Sequence, residues 1–252
     1  MTFRSLIHPP ADWLDDPPPG RIAGVALATV AGLALYGFTI GYCRSPVLGF
    51  YVAVKLPLLI ALTLGCNGLL NGLLGILLGT GLGFRQSFLA LLSSFALAAL
   101  LLGSLAPVAL FIVWNAPSAE SPHAALAHNA FLLIHTLLIG TAGIAANLHL
   151  HKQLLLRASN RSAANTTLFA WLGGSAFLGA QFSWLLRPFF GTPTQKVEFL
   201  RPDPFDGTFY EAVWQALNKT TGGHAAVPVT VLTILLAIVL IRIIRPNKTK
   251  LV

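Results

Sequence analysis

Residues Gly65–Trp114 read GCNGLLNGLLGILLGTGLGFRQSFLALLSSFALAALLLGSLAPVALFIVW. The first part is a ladder of glycines, Gly65, Gly68, Gly72, Gly75 and Gly79. Steps of three and four residues place them on one helical face. In lipid, such a face admits a second helix to backbone contact. A polar break follows at Phe84-Arg85-Gln86-Ser87, and after it an apolar run of more than twenty residues. The stretch predicts a hydrophobic hairpin with a close-packing seam, around which the remaining helices gather.

Composition extends this reading to the whole chain. Of 252 residues, 55% are hydrophobic and 10% charged, and the mean hydropathy is +0.74. A soluble domain carries about 25% charged residues. The expected fold class is therefore all-α, a polytopic integral membrane bundle. The length suits about six spans at ~20 residues each, with no separate soluble domain. The net charge of +8 comes from basic residues scattered at span ends, with no basic stripe. It is read as a topology signal and as contact with membrane lipid head groups, not with nucleic acid.

Residues 1–20 form a polar, proline-rich segment, expected on the membrane surface, with Trp13 and Leu14 as isolated apolar points. Its three aspartates and Pro-Pro-Pro run set it apart from a signal peptide. Residues 21–245 are expected to form the six-helix domain and 246–252 a basic tail. The spans are placed at about 21–42, 49–83, 87–114, 124–149, 166–186 and 225–241. Residues 49–83 are too many for one span and few for two. A long tilted helix fits, and so does a span plus a half-helix broken near Pro57 and the glycines, with Asn67 and Asn71 at the break. Lys55, a turn or two inside, is expected to snorkel to the interface. Cys43 and Cys66 fall near opposite ends of the second span, so no disulfide is expected, and no metal-binding spacing is present.

Lys152, Arg157, Arg161 and the C-terminal basic residues cluster on one side of a six-span layout, joined by Arg85. That side is assigned to the cytoplasm, with both termini. The membrane expected is a bacterial cytoplasmic (inner) membrane.

All eight acidic residues lie outside the expected spans. Ion-coupled carriers commonly use intramembrane carboxylates, so proton coupling is disfavoured. His128, His135 and His149 lie seven and fourteen residues apart on one face of the fourth span. Paired haem ligation would need matching histidines on a second helix, and the other four histidines are not mid-span. No cofactor is assigned. A single axial ligand at His135 defines a weaker alternative, a cofactor- or pigment-binding subunit.

The long loop 187–224 is aromatic, and within it Thr208–Asn218 places Tyr210, Val213, Trp214 and Leu217 on one helical face. Such a helix lies in the interface plane as a lid or docks a partner. Asp203 and Asp206 in PDPFDGTF read as a Pro-Asp turn. No nucleophile–base pair, HExxH or phosphate-cradling loop occurs, and no enzymatic activity is expected.

The stretch Gly79–Pro107 resembles the Yip (Ypt/Rab-interacting protein) family, in particular its bacterial members. The resemblance rests on the glycine-rich approach Gly79–Gly83, then Phe84-Arg85-Gln86-Ser87-Phe88, then an apolar span ending in Ala106-Pro107. It covers about thirty residues. It implies a helical bundle with cytoplasmic ends and an adaptor-like role. The long aromatic loop departs from that family.

The leading expectation is a non-catalytic membrane subunit or scaffold. It would pack with other membrane proteins or a second copy through the glycine face and the aromatic loop. The alternative is a small-solute transporter or channel, with Lys55, Asn67, Asn71, His128 and His135 lining a site at a broken second helix.

Overall fold

The computed structural model describes residues 13–117, 121, 124–191, 196–220, 226 and 230. Six helices follow one another: α1 (Pro19–Tyr42), α2 (Pro46–Leu77), α3 (Phe84–Trp114), α4 (Ala124–Leu155), α5 (Arg161–Leu185) and α6 (Phe209–Thr220). No strand occurs among the described residues. Four helices are long and apolar enough to cross a membrane: α1, α2, α3 and Leu126–Leu155 of α4. The chain is thus an all-helical integral membrane protein. At the expected fifth span lies α5, a helix that is not among these four. Apart from Ala226 and Thr230, the expected sixth span lies outside the described residues, as does the basic tail.

The helix ends follow local chemistry. Ser45 caps α2, its hydroxyl accepting from the Leu48 amide, with Pro46 in the first turn where no amide partner is needed. Asn160 caps α5 by accepting from the Ala163 amide. The α2–α3 turn bends at Gly79 and Gly81, both at positive φ, where a side chain would be strained. The Thr80 hydroxyl closes the turn onto the Gly75 carbonyl.

The second helix is continuous through 32 residues, with Pro57 inside it. No break occurs near Asn67 and Asn71. Pro57 removes one backbone bond, whereas unwinding would leave several polar groups unpaired in lipid. At about 48 Å, α2 exceeds a bilayer core of about 30 Å and extends past it or tilts. It also places Cys66 well inside the helix rather than near its end.

The glycine face is used within the chain. Gly68, Gly72 and Gly75 are buried against the start of α3 and the turn before it. A Cβ at Gly72 would lie 2.7 Å from the Phe84 Cα. Gly65 faces open space, and Gly79 lies beyond the helix in the turn. The closest helix crossing is elsewhere. Gly32 of α1 meets Gly103 of α3 so tightly that a Cβ on Gly103 would lie 2.9 Å from the Gly32 Cα. Gly37 and Gly41 likewise bring α1 onto the Val52 and Leu48 backbone of α2.

The N-terminal segment is not a surface strand of isolated apolar points. Trp13 and Leu14 are buried in a cluster with Leu89, Leu91 and Leu150. The Trp13 indole donates to the Leu89 carbonyl (3.2 Å). Asp15 and Asp16 pair with Arg157 and Arg85. Residues 13–16 therefore strap one end of the bundle to α3 and the end of α4.

Candidate functional site

Two polar layers and a cavity between them organise the interior. Lys55, expected to snorkel, is fully buried instead. Its Nζ donates to the Pro188 carbonyl (2.8 Å). It also lies 5.1 Å from the Phe199 ring centroid and 5.8 Å from that of Phe189, the arrangement of a cation against aromatic faces. One turn of the loop after α5 thus folds inward over the bundle. Snorkelling fails because that loop supplies an acceptor deeper than the interface.

Beside it, His135 of α4 is fully buried and hydrogen bonded through Nδ1 to the Tyr36 hydroxyl of α1 (2.7 Å). Phe131 and Phe190 pack on the imidazole, with ring centroids 4.1 and 6.0 Å away. Its Nε2 is buried without a partner among the described residues. Phe189 follows the carbonyl that holds Lys55, and Phe190 touches His135. The same loop therefore covers both groups.

The second layer lies toward the other end. Asn67 donates through Nδ2 to the Ser175 hydroxyl of α5 (2.6 Å). Asn71, one turn on, is buried, and its amide group has no partner among the described residues. The Trp171 indole nitrogen and Thr167 hydroxyl of α5 are buried and unpartnered in the same sense. On α4 and α3, the Gln153 amide donates to the Ser93 hydroxyl (2.8 Å) and contacts His149 (2.7 Å).

The five residues expected to line one site are therefore not together. Along α2, Lys55 and Asn71 are sixteen residues apart, about 24 Å of helix. His135 and His149 share a face of α4 but are separated by about 21 Å. They stand in different layers, and His128 is a half-buried residue near the start of α4. Only Lys55 and His135 share a layer.

Between the layers is a cavity of about 370 Å³. Leu56, Leu59 and Ile60 line it on α2, after Lys55 and before Asn67. Ser94, Ala98 and Leu102 face it from α3, Ala142 and Asn147 from α4, and Trp171 and Ser175 from α5. The lining is almost entirely apolar. The volume falls in the range of small-molecule pockets, about 300–1,000 Å³.

The comparison with known proteins adds nothing to this. No family model, curated protein or solved structure matches the chain.

The two surfaces expected to meet partners differ from each other. The glycine face is spent on the α2–α3 hairpin. On α6 the apolar face is only partly used. Tyr210 stacks on Phe177 of α5 and donates to its carbonyl (2.6 Å). Leu217 is half-buried, while Val213 and Trp214 are 47% and 46% exposed. The α5–α6 connection is held by Asp206, whose carbonyl accepts from Trp184 and Arg187. Asp203 and Asp206 form a turn through the Asp206 amide and the Asp203 carbonyl (3.2 Å).

Sequence reasoning found Lys55, His135, Asn67 and Asn71 as unusual polar residues. It missed Tyr36, which looks like an ordinary interfacial tyrosine, and Trp13, whose flanking aspartates disguise it. Ninety-nine residues separate Tyr36 from His135. No local pattern carries that contact.

Proposed function

We propose that the protein is a non-catalytic carrier for an amphiphile whose apolar part occupies the chamber. It would act as a bundle of six spans, with both termini cytoplasmic, in a bacterial inner membrane. The observation that carries the reading is the apolar cavity lying between two buried polar layers. One layer is covered by the loop after α5, and the other lies toward the strap at residues 13–16. A binding chamber with a closure at each end is what alternating access requires. Buried ionisable and amide groups inside spans are costly and mark function by default. Bundle stability alone would be served better by apolar residues at Lys55 and Asn71.

A broken helix is no part of this proposal, because α2 is continuous. The binding region is the chamber, and Lys55 with His135 forms one end of it. The absence of acidic residues from α1–α5 fits a carrier that is not driven by a carboxylate proton site.

The scaffold reading keeps one support, the exposed Val213 and Trp214 on α6. The likeness of Gly79–Pro107 to the Yip family points the same way. It loses its other support, since the glycine face is occupied within the chain.

A thermal-shift screen of small amphiphiles tests the carrier reading. A solute that binds the folded protein raises its Tm by mass action. Ala98→Phe fills the chamber from α3. Solutes that raise the Tm of the wild-type protein are expected to leave Ala98→Phe unshifted. Equal shifts in both proteins, or none in the wild type, would oppose the reading.

A further inference from the structure

A second hollow lies on the outer side of the α4–α5 seam. It is a groove of about 400 Å³. Gly140, Ile144 and Leu148 form one wall on α4, and Leu168 and Leu172 the other on α5. Gly143, Asn147 and Leu172 line both the groove and the inner chamber. The two hollows are therefore neighbours across a seam only one residue thick. Cβ atoms built on Gly140 and Gly143 meet nothing within 4 Å, so the seam is open where those side chains are missing.

The groove has a charged end. Gly140, Ile144 and Leu148 step by four residues along α4, and Lys152 is the next member of that row. His151 closes the groove by a hydrogen bond from its ring to Asn165 of α5 (2.8 Å). Arg161 stands one turn beyond Asn165, at the first position of α5. No acidic residue occurs in either helix. Lys152 and Arg161 are not part of the groove's lining but stand by helix register just past its His151 end, and an apolar trough with two cations beyond it is complementary to an acyl chain with an anionic head.

We infer that the chamber takes the acyl chain of an anionic membrane lipid, which enters sideways from the bilayer through the α4–α5 seam at Gly143 and Asn147. The head group stays at Lys152 and Arg161, and the chain passes between Gly143 and Leu172 to lie beside Trp171. This rests on the carrier reading and names its substrate class.

Trp171 supplies the probe, because it lines the chamber and is fully buried. The full-length protein is reconstituted in vesicles of phosphatidylglycerol brominated on its acyl chain, and tryptophan quenching is compared with that of Trp171→Phe. The chain expected in the chamber produces a quenched component in the wild type that Trp171→Phe lacks. Gly143→Phe fills the seam without meeting protein atoms at its Cβ and is expected to remove the same component. The double variant Lys152→Glu/Arg161→Glu is expected to reduce it severalfold, while brominated phosphatidylcholine, which also reaches exposed tryptophans such as Trp114, is expected to give no component that depends on Trp171. Native mass spectrometry of the unmodified chain should retain one phosphatidylglycerol in preference to phosphatidylcholine.

Quenching at Trp171 that is absent, or unchanged by Gly143→Phe, overturns the sideways entry. Quenching indifferent to head-group charge overturns the anionic lipid. If either occurs while the thermal-shift screen still finds a chamber guest, the lipid proposal falls and the carrier reading stands.

Discussion

Replacing Gly32 with leucine destabilises the bundle by about 3 kcal/mol or more, at or above the upper end of ordinary overpacking. The reason is what stands opposite. A Cβ at Gly32 would lie 2.8 Å from the Ala99 carbonyl carbon, which is backbone and has no rotamer to change. α1 and α3 would have to separate, and both belong to the walls of the chamber through Leu33 and Leu102. Gly65→Leu is the matched comparison. Its Cβ meets nothing within 4 Å, and leucine restores helix propensity, so little change in Tm is expected. Thermal unfolding in mild detergent measures both. A Gly65→Leu protein less stable than Gly32→Leu would return the glycine ladder to the role of an intermolecular seam.

Trp13→Ala is expected to release the strap at residues 13–16. Truncating a buried tryptophan costs about 3–5 kcal/mol. Here it also leaves the Leu89 carbonyl without its indole donor. What remains is buried Leu14 and two ion pairs, Asp15–Arg157 with side chains 52% and 30% exposed and the wetter Asp16–Arg85, too little to hold the segment. Hydrogen exchange at Leu14–Asp16 should accelerate strongly while α3 stays protected.

The pair adds a pH dependence. The Arg157 guanidinium, through its hydrogen bonds, holds the Asp15 carboxyl below its ordinary value of 3.8. A carboxyl depressed in the folded state contributes stability above its unfolded value and loses it as pH falls through the folded one. Strap protection should therefore be flat from neutral pH down to about 4 and decline below pH 3.8. Asp15→Asn should abolish that decline. A strap released by Trp13→Ala no faster than in the wild type would show that Trp13 does not anchor it.

Much of the fold was legible in the sequence. Runs of apolar residues between polar breaks located α1 to α5, with the ends of α2 and α4 off by six residues, because in lipid a helix is the only way for a lone segment to satisfy its backbone. The interior was less legible. Gly72 and Gly32 look alike in sequence, and both prove to mark close approaches. Gly65 looks the same and touches nothing. Spacing shows which glycines share a face, but not whether a helix lies against it. Its own helix alone gives Lys55 only the interface to reach. The loop carbonyl that holds it is 133 residues away. The chamber had no signature at all, since a void arises from small and apolar residues of separate helices failing to fill a common space. A histidine in the middle of an apolar run needs a partner wherever the chain folds, and His135 finds one in Tyr36.

The most direct test of the account is whether each side of the membrane reaches the chamber. Cys43 and Cys66 are replaced by serine, and Ala98→Cys supplies a single thiol on the chamber wall. Protein in oriented vesicles is then exposed to a membrane-impermeant thiol reagent from one side or the other. Cys labelling at position 98 is expected from both sides, each slowed when a solute found in the thermal-shift screen is present. A thiol that reacts from neither side, with the protein folded and monodisperse, would mean a sealed void in a structural bundle and would contradict the carrier.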